Sequence, residues 1–249
     1  MWRATASGLA LCLLACAGPS APELTVSLYQ TRSDTPADKL EIQVRNAGQA
    51  PVTVQRARLD SPRLAAPATW DEPVEIPPGA AVDLKVDLPG PICGARGAER
   101  VMLAVEGTDL ELDAPDTLGQ VAAYADQTCF EQEVDSTSVI RVRKVTDTGM
   151  RVVTDPGQAT IGELDTTILF APRDPGALAA PAGDRTRVRE VRLRPNRCEA
   201  HALAEDKQGT VFDVAVTLPD GRSGTYALQM GPRVRARLYT LFARLCGLE

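Results

Sequence analysis

The chain has 249 residues, 44 % hydrophobic but only 4 % aromatic, and its 33 Asp and Glu against 27 Lys and Arg give a net charge of −6. After an N-terminal signal is set aside, enough chain remains for two domains of about 110 residues, each closing its own core of Val, Leu, Ile and Ala. A single histidine, with the four cysteines beyond residue 16 at least 36 residues apart, excludes structural zinc and histidine-dependent catalysis.

Residues 1–15 read as an export signal. Arg3 supplies the charge, an apolar stretch runs from Ala6 to Leu14, and Ala15, Ala17 and Gly18 are the small residues of a cleavage site. Pro19 and Pro22 end the run well short of the about 20 apolar residues that a spanning helix needs. Leu13, Leu14, Ala15 and Cys16 resemble the lipobox of bacterial lipoproteins. The resemblance implies that Cys16 carries a diacylglycerol thioether and becomes the first mature residue, with Cys12 discarded. The protein is then exported and lipid-anchored to the outer face of the cell membrane, with residues 16–23 as its tether.

The remaining cysteines, Cys93, Cys129, Cys198 and Cys246, read as two disulfides in an exported chain, with three pairings open. From Leu24 onward the apolar residues alternate as in short strands: Leu24, Val26 and Leu28; Leu40, Ile42 and Val44; Val52 and Val54; Val82, Leu84, Val86 and Leu88. "RNAGQAP" and "PPGA" supply turns, and Trp70, in a Pro-rich loop, is expected to cap a small core. "RVMLAVEG" and "DLELDAP" make a hairpin. Leu118, Val121, Ala122 and Ala125 then share a helical face leading into Cys129.

The second half repeats this plan. "VIRVRKV", "MRVVTD" and "TTILFAP" are strand-like, and "RDPGALAAPAGD" is the longest expected loop. "VDLPGPIC" and "VRLRPNRC" share Val, Leu and Cys at an offset of 105 residues, and a hairpin and a helix follow each. In the final helix Val234, Leu238, Leu241 and Leu245 share a face, Pro232 suits the first turn and Gly247 the stop. The repeat pairs Cys93 with Cys129 and Cys198 with Cys246. The expected fold is mainly β: two tandem immunoglobulin-like β-sandwich domains, 24–133 and 134–249, each with a short disulfide-tethered helix at its end.

"RCEAHALAEDKQGT", followed by a hairpin and a helix ending in "RLCG", resembles uncharacterised secreted and lipid-anchored proteins of actinobacteria. The resemblance implies a GC-rich source, in keeping with 23 Arg against 4 Lys, and no known activity.

His201 lies near Glu199, Glu205 and Asp206, and on a helix His201 and Glu205 would share a face. With no second histidine this is not a catalytic zinc set, and the segment reads as a solvated turn beside the bridge. Nucleophile elbows, S-x-x-K pairs and phosphate loops are absent from the sequence, so no catalytic residue, metal or cofactor is assigned. Charge is what separates the halves. Residues 17–133 hold 9 Lys and Arg against 19 Asp and Glu, net −10, whereas residues 134–249 hold 17 against 14, net +3.

"DRTRVREVRLRPNR" places Arg187, Arg189, Arg192 and Arg194 on one strand as a candidate anion-binding stripe, with Val191 and Leu193 inward and Arg192 and Arg194 outward. Such a stripe can meet lipid head groups, an anionic wall polymer, an acidic protein partner or the first domain, or it can be a solvated strand face. Nucleic acid is not expected outside the membrane. The function expected is that of a membrane-anchored extracytoplasmic lipoprotein that binds or scaffolds without catalysis. The alternative is an envelope hydrolase with a carboxylate site, which an acidic pair in a deep cleft would favour.

Overall fold

The computed structural model describes residues 22–199, 209–228 and 230–248. Cys16 and His201, with Glu205 and Asp206, lie outside the described residues.

Period-two burial sets the first unit: β1 (Leu24–Tyr29), β2 (Lys39–Asn46), β3 (Val52–Asp60), β4 (Ala68–Trp70), β5 (Val74–Ile76), β6 (Ala81–Asp87), β7 (Arg100–Val105) and β8 (Thr108–Asp113). One sheet has the order β1–β2–β6; the other joins β3 to β7 and β7 to β8, with β4 and β5 also paired to β3. Their inner faces close over Leu28, Ile42, Leu59, Leu84 and Leu103. The β7–β8 hairpin turns at Glu106 and Gly107, with φ of 49° and 82°, a left-handed pair that matches the twist of the strands. Trp70 belongs to β4 and packs, half-buried, on the edge of this core.

The second unit contains β9 (Val139–Thr146), β10 (Gly149–Asp155), β11 (Thr160–Leu164), β12 (Phe170–Pro172), β13 (Arg187–Pro195), β14 (Asp213–Thr217) and β15 (Ser223–Ala227). Its β9–β10–β13 order repeats β1–β2–β6, and β11–β14–β15 repeats β3–β7–β8, all antiparallel. Immunoglobulin-type sandwiches distribute their strands over two sheets in this manner. Gly149 permits a close approach of β10 to β13, because a Cβ there would stand 2.0 Å from the Val191 carbonyl oxygen. In the core, Phe170 meets Phe212 at 6.1 Å and Phe242 edge-on at 5.6 Å between ring centres. Of "TTILFAP" only Phe170–Pro172 is strand. The expected long loop after it is partly structured, with a 3-10 turn at Pro175–Leu178 and Leu178 fully buried.

Among the described residues two α-helices complete the fold, α1 (Gln120–Thr137) and α2 (Pro232–Cys246). Asp116 starts α1: its carboxylate accepts from the backbone N–H groups of Gln120, Val121 and Ala122 at 2.7, 3.0 and 3.1 Å. The helix then runs through the expected division at 133/134. Val121 lies in the first core, whereas Phe130 and Val134 lie in the second, so the units share one helix. Leu118, expected on its apolar face, precedes it and is exposed. In α2, Leu238, Leu241 and Phe242 are buried while Leu245, in the last turn, is exposed. The disulfides are Cys93–Cys129 and Cys198–Cys246, with Cα atoms 5.7 and 5.3 Å apart. By loop-closure entropy each contributes about 4 kcal/mol.

Candidate functional site

β13 buries Val191 and Leu193 and exposes Arg192 and Arg194. The four-arginine stripe nevertheless does not lie on one face. Arg187 and Arg189 share the side of Val191 by the period of two, beyond the end of the core, and both reach Asp184 at 3.3 Å. Arg189 also donates from Nε to Thr154 Oγ1 at 3.1 Å. The Arg185 backbone N–H and the two guanidiniums hold the Asp184 carboxyl below its ordinary value. Arg187 and Arg189 are thus already engaged.

Strand register brings other cations beside Arg192 and Arg194. Arg151 of β10 stands opposite both Glu190 and Lys144, and Arg141 stands opposite Val153. The register shifts at Arg151/Val152, and this bulge leaves Arg143 and Lys144 both exposed while Val142 and Val145 pack on the core. The outer face of β9–β10–β13 therefore gathers Arg141, Arg143, Lys144, Arg151, Arg192 and Arg194 against two carboxylates among the described residues, Glu190 and Asp155, the latter accepting from Thr186 Oγ1 at 2.6 Å. None of these six cationic side chains has an ion pair or hydrogen bond among the described residues. Val139 and Val188 stand among them, 44 % and 50 % exposed. Sequence reasoning missed Arg141, Arg143, Lys144 and Arg151. Alternating arginines in "VIRVRKV" were the available signal, but only pairing across the sheet places them next to β13.

A cleft of about 1000 Å³ lies between the units, with α1 along it. On the first-unit side, buried Asp34 accepts from Lys85 Nζ at 2.8 Å and from the Thr31 backbone N–H at 2.7 Å, and Lys85 also meets Glu41 at 2.9 Å. Burial alone would raise the Asp34 carboxyl; the hydrogen bonds from Lys85 and Thr31 outweigh it and hold the group below its ordinary value. This network fixes the loop that carries Asp38. Tyr124 Oη donates to the Leu88 and Pro89 carbonyls at 3.3 and 3.2 Å, and Gln127 Nε2 donates to Thr225 O at 2.9 Å, so α1 is bonded to both units. Glu131 accepts from Gln127 Nε2 at 2.8 Å and from the Ala227 N–H at 3.2 Å.

Asp38 and Asp213 line the cleft from opposite units. Desolvation raises both carboxyls, and the Asp165 carboxylate raises Asp213 further. An acidic pair in a cleft is the feature that a carboxylate hydrolase would require, although nothing here sets the two groups about a scissile bond. Among the described residues no cluster of three or more His, Cys, Asp or Glu side chains is placed to hold a metal. The same residues include no helix long and apolar enough to cross a membrane.

No family model matches the chain, and no curated protein matches it. Among solved structures it is similar to the Pseudomonas aeruginosa CupB2 chaperone, at 13 % identity and a TM-score of 0.23 over 78 % of this chain and 93 % of that one. The YadV chaperone gives 13 % identity and 0.21 over 77 % and 92 %, and red sea bream transglutaminase 10 % and 0.24 over 85 % and 32 %. Likeness at this level transfers no role, and the chain's own surfaces carry the functional argument.

Proposed function

We propose that the protein is an exported, lipid-anchored component of the cell envelope that binds or scaffolds without catalysis, docking an anionic surface on the outer face of β9–β10–β13. The supporting observation is the set of six exposed cations on that face, none with a partner among the described residues. Guarding a sheet edge would account only for Arg141, Arg143 and Lys144, which lie on the edge strand β9. Arg151, Arg192 and Arg194 lie on β10 and β13, which are interior strands. Guanidinium groups instead match the paired oxygens of phosphates and carboxylates. Two disulfides suit an oxidising compartment, and acylation at Cys16 would keep the face close to a membrane.

Two measurements test this reading. Cys16→Ser should move the protein from the membrane fraction to the medium, and wild type that takes up no labelled fatty acid would overturn the anchoring. Arg192→Gln/Arg194→Gln should weaken binding to phosphatidylglycerol vesicles while phosphatidylcholine vesicles bind neither form. Equal binding of both forms to phosphatidylglycerol, or capture only by an acidic protein or a wall polymer, would overturn docking on lipid head groups.

A further inference from the structure

We infer that the cleft between the two units is a binding site for an uncharged polyhydroxylated ligand, a segment of a glycan chain. Its volume of about 1000 Å³ lies at the upper end of the about 300–1,000 Å³ found for ligand pockets, and sites between units are a common location for them. The lining is rich in hydroxyl and amide groups, supplied by Gln30, Ser33, Thr128, Thr166, Thr210 and Thr225 among others. Groups that both donate and accept suit a ligand whose own groups do the same, and sugar hydroxyls are of that kind.

The carboxylates narrow the choice. Asp38, Glu131 and Asp213 face the cleft against one guanidinium, Arg235, which disfavours an anion. They do not converge into a metal-binding cluster, which disfavours a divalent cation. Carboxylates spread along a groove instead accept hydrogen bonds from successive hydroxyls. Ile168, 53 % exposed at the cleft, and the ring of Tyr124 offer apolar surface for the C–H faces of sugar rings.

Thr210, on the second unit, adds its hydroxyl to the same lining. The walls are held in advance: the Asp34–Lys85–Glu41 network fixes the loop bearing Asp38, and Gln127 and Tyr124 tie α1 to both units. Little ordering is then required on binding.

The test uses the full chain in detergent, titrated calorimetrically with maltotetraose, cellotetraose and chitotetraose, with amide hydrogen exchange followed in parallel. At least one probe should bind at millimolar concentration or below and slow exchange in residues 120–131 and 166–168. Asp213→Asn and Thr210→Val should each weaken that binding by about tenfold, equivalent to about 1.4 kcal/mol. Asp38→Asn, on the opposite wall, guards against a folding defect in either. Binding should be insensitive to salt and unchanged in Arg192→Gln/Arg194→Gln, which separates this site from the cationic face. No protection of these segments by any of the three probes would overturn the inference, as would binding that survives all three cleft substitutions.

Discussion

The outer faces of β1–β2–β6 and β9–β10–β13 occupy equivalent places in the two units and are built in opposite ways. On the first, Lys39 meets Asp87 at 2.7 Å, Lys85 meets Asp34 and Glu41, and Gln43 Nε2 donates to Asp83 at 2.9 Å. On the second, six cations stand without partners among the described residues. Strand order decides which way each side chain points, but it leaves the charge at each position open. Paired charges fix the loop that forms one wall of the cleft, whereas crowded like charges repel until an anion relieves them. One scaffold thus carries a self-satisfied surface and an unsatisfied one.

The largest effect should come from the scaffold that both units share. Cys93→Ala/Cys129→Ala and Cys198→Ala/Cys246→Ala should each cost about 2–5 kcal/mol in chemical denaturation. Comparable losses would sharpen the equivalence of the units, and a loss confined to one bridge would break it.

Next comes the paired surface. Lys85→Met leaves the buried Asp34 and Glu41 carboxylates without their cation, and Tm should fall by several degrees in calorimetry. Arg192→Gln, on the equivalent face of the second unit, should leave Tm nearly unchanged. Matching falls in both variants would erase the distinction between the faces.

Acid should act on the same network. The Asp34 carboxyl is held below its ordinary value, so the stability it contributes is complete above that value and is lost as pH falls through the lowered one. Thermal stability should therefore drop below about pH 4, and Asp34→Asn should flatten that limb. An unchanged acid limb in Asp34→Asn would assign the loss elsewhere.

The smallest effect on folding belongs to Glu190→Gln, which removes the carboxylate at the centre of the cationic face, opposite Arg151. Stability should stay within about 0.5 kcal/mol, while affinity for phosphatidylglycerol vesicles in a flotation assay should rise. Reduced affinity would show that Glu190 orients the face instead of weakening it.

Much of this comparison was legible in the sequence, and the exceptions have physical causes. Alternation gave β1, β2 and β6 and the β7–β8 hairpin, and the repeated strand, hairpin and helix gave both disulfides. Pro232 and Gly247 bracketed α2 because each fills a backbone requirement of a helix end. The full extent of α1 was hidden because its apolar residues serve two cores: Val121 faces one and Phe130 and Val134 the other, so no single stripe runs its length. β11 and β12 were too short to show a period. Arg141, Arg143, Lys144 and Arg151 join Arg192 and Arg194 only through strand pairing between distant segments, whereas Arg187 and Arg189, adjacent in sequence, turn to Asp184.

The most direct measurement of the central claim is vesicle binding across a salt series for wild type and Lys144→Gln/Arg151→Gln/Arg192→Gln/Arg194→Gln. Lys39→Gln/Arg45→Gln, on the equivalent face of the first unit, serves as the matched control. Wild type and control should bind phosphatidylglycerol vesicles at low salt and lose affinity steeply as ionic strength rises, since screening acts over about 8 Å at physiological salt. The fourfold variant should lose most of that binding at low salt with little change in Tm, because exposed charges contribute little to folding. Binding by the fourfold variant equal to wild type at low salt would contradict the account.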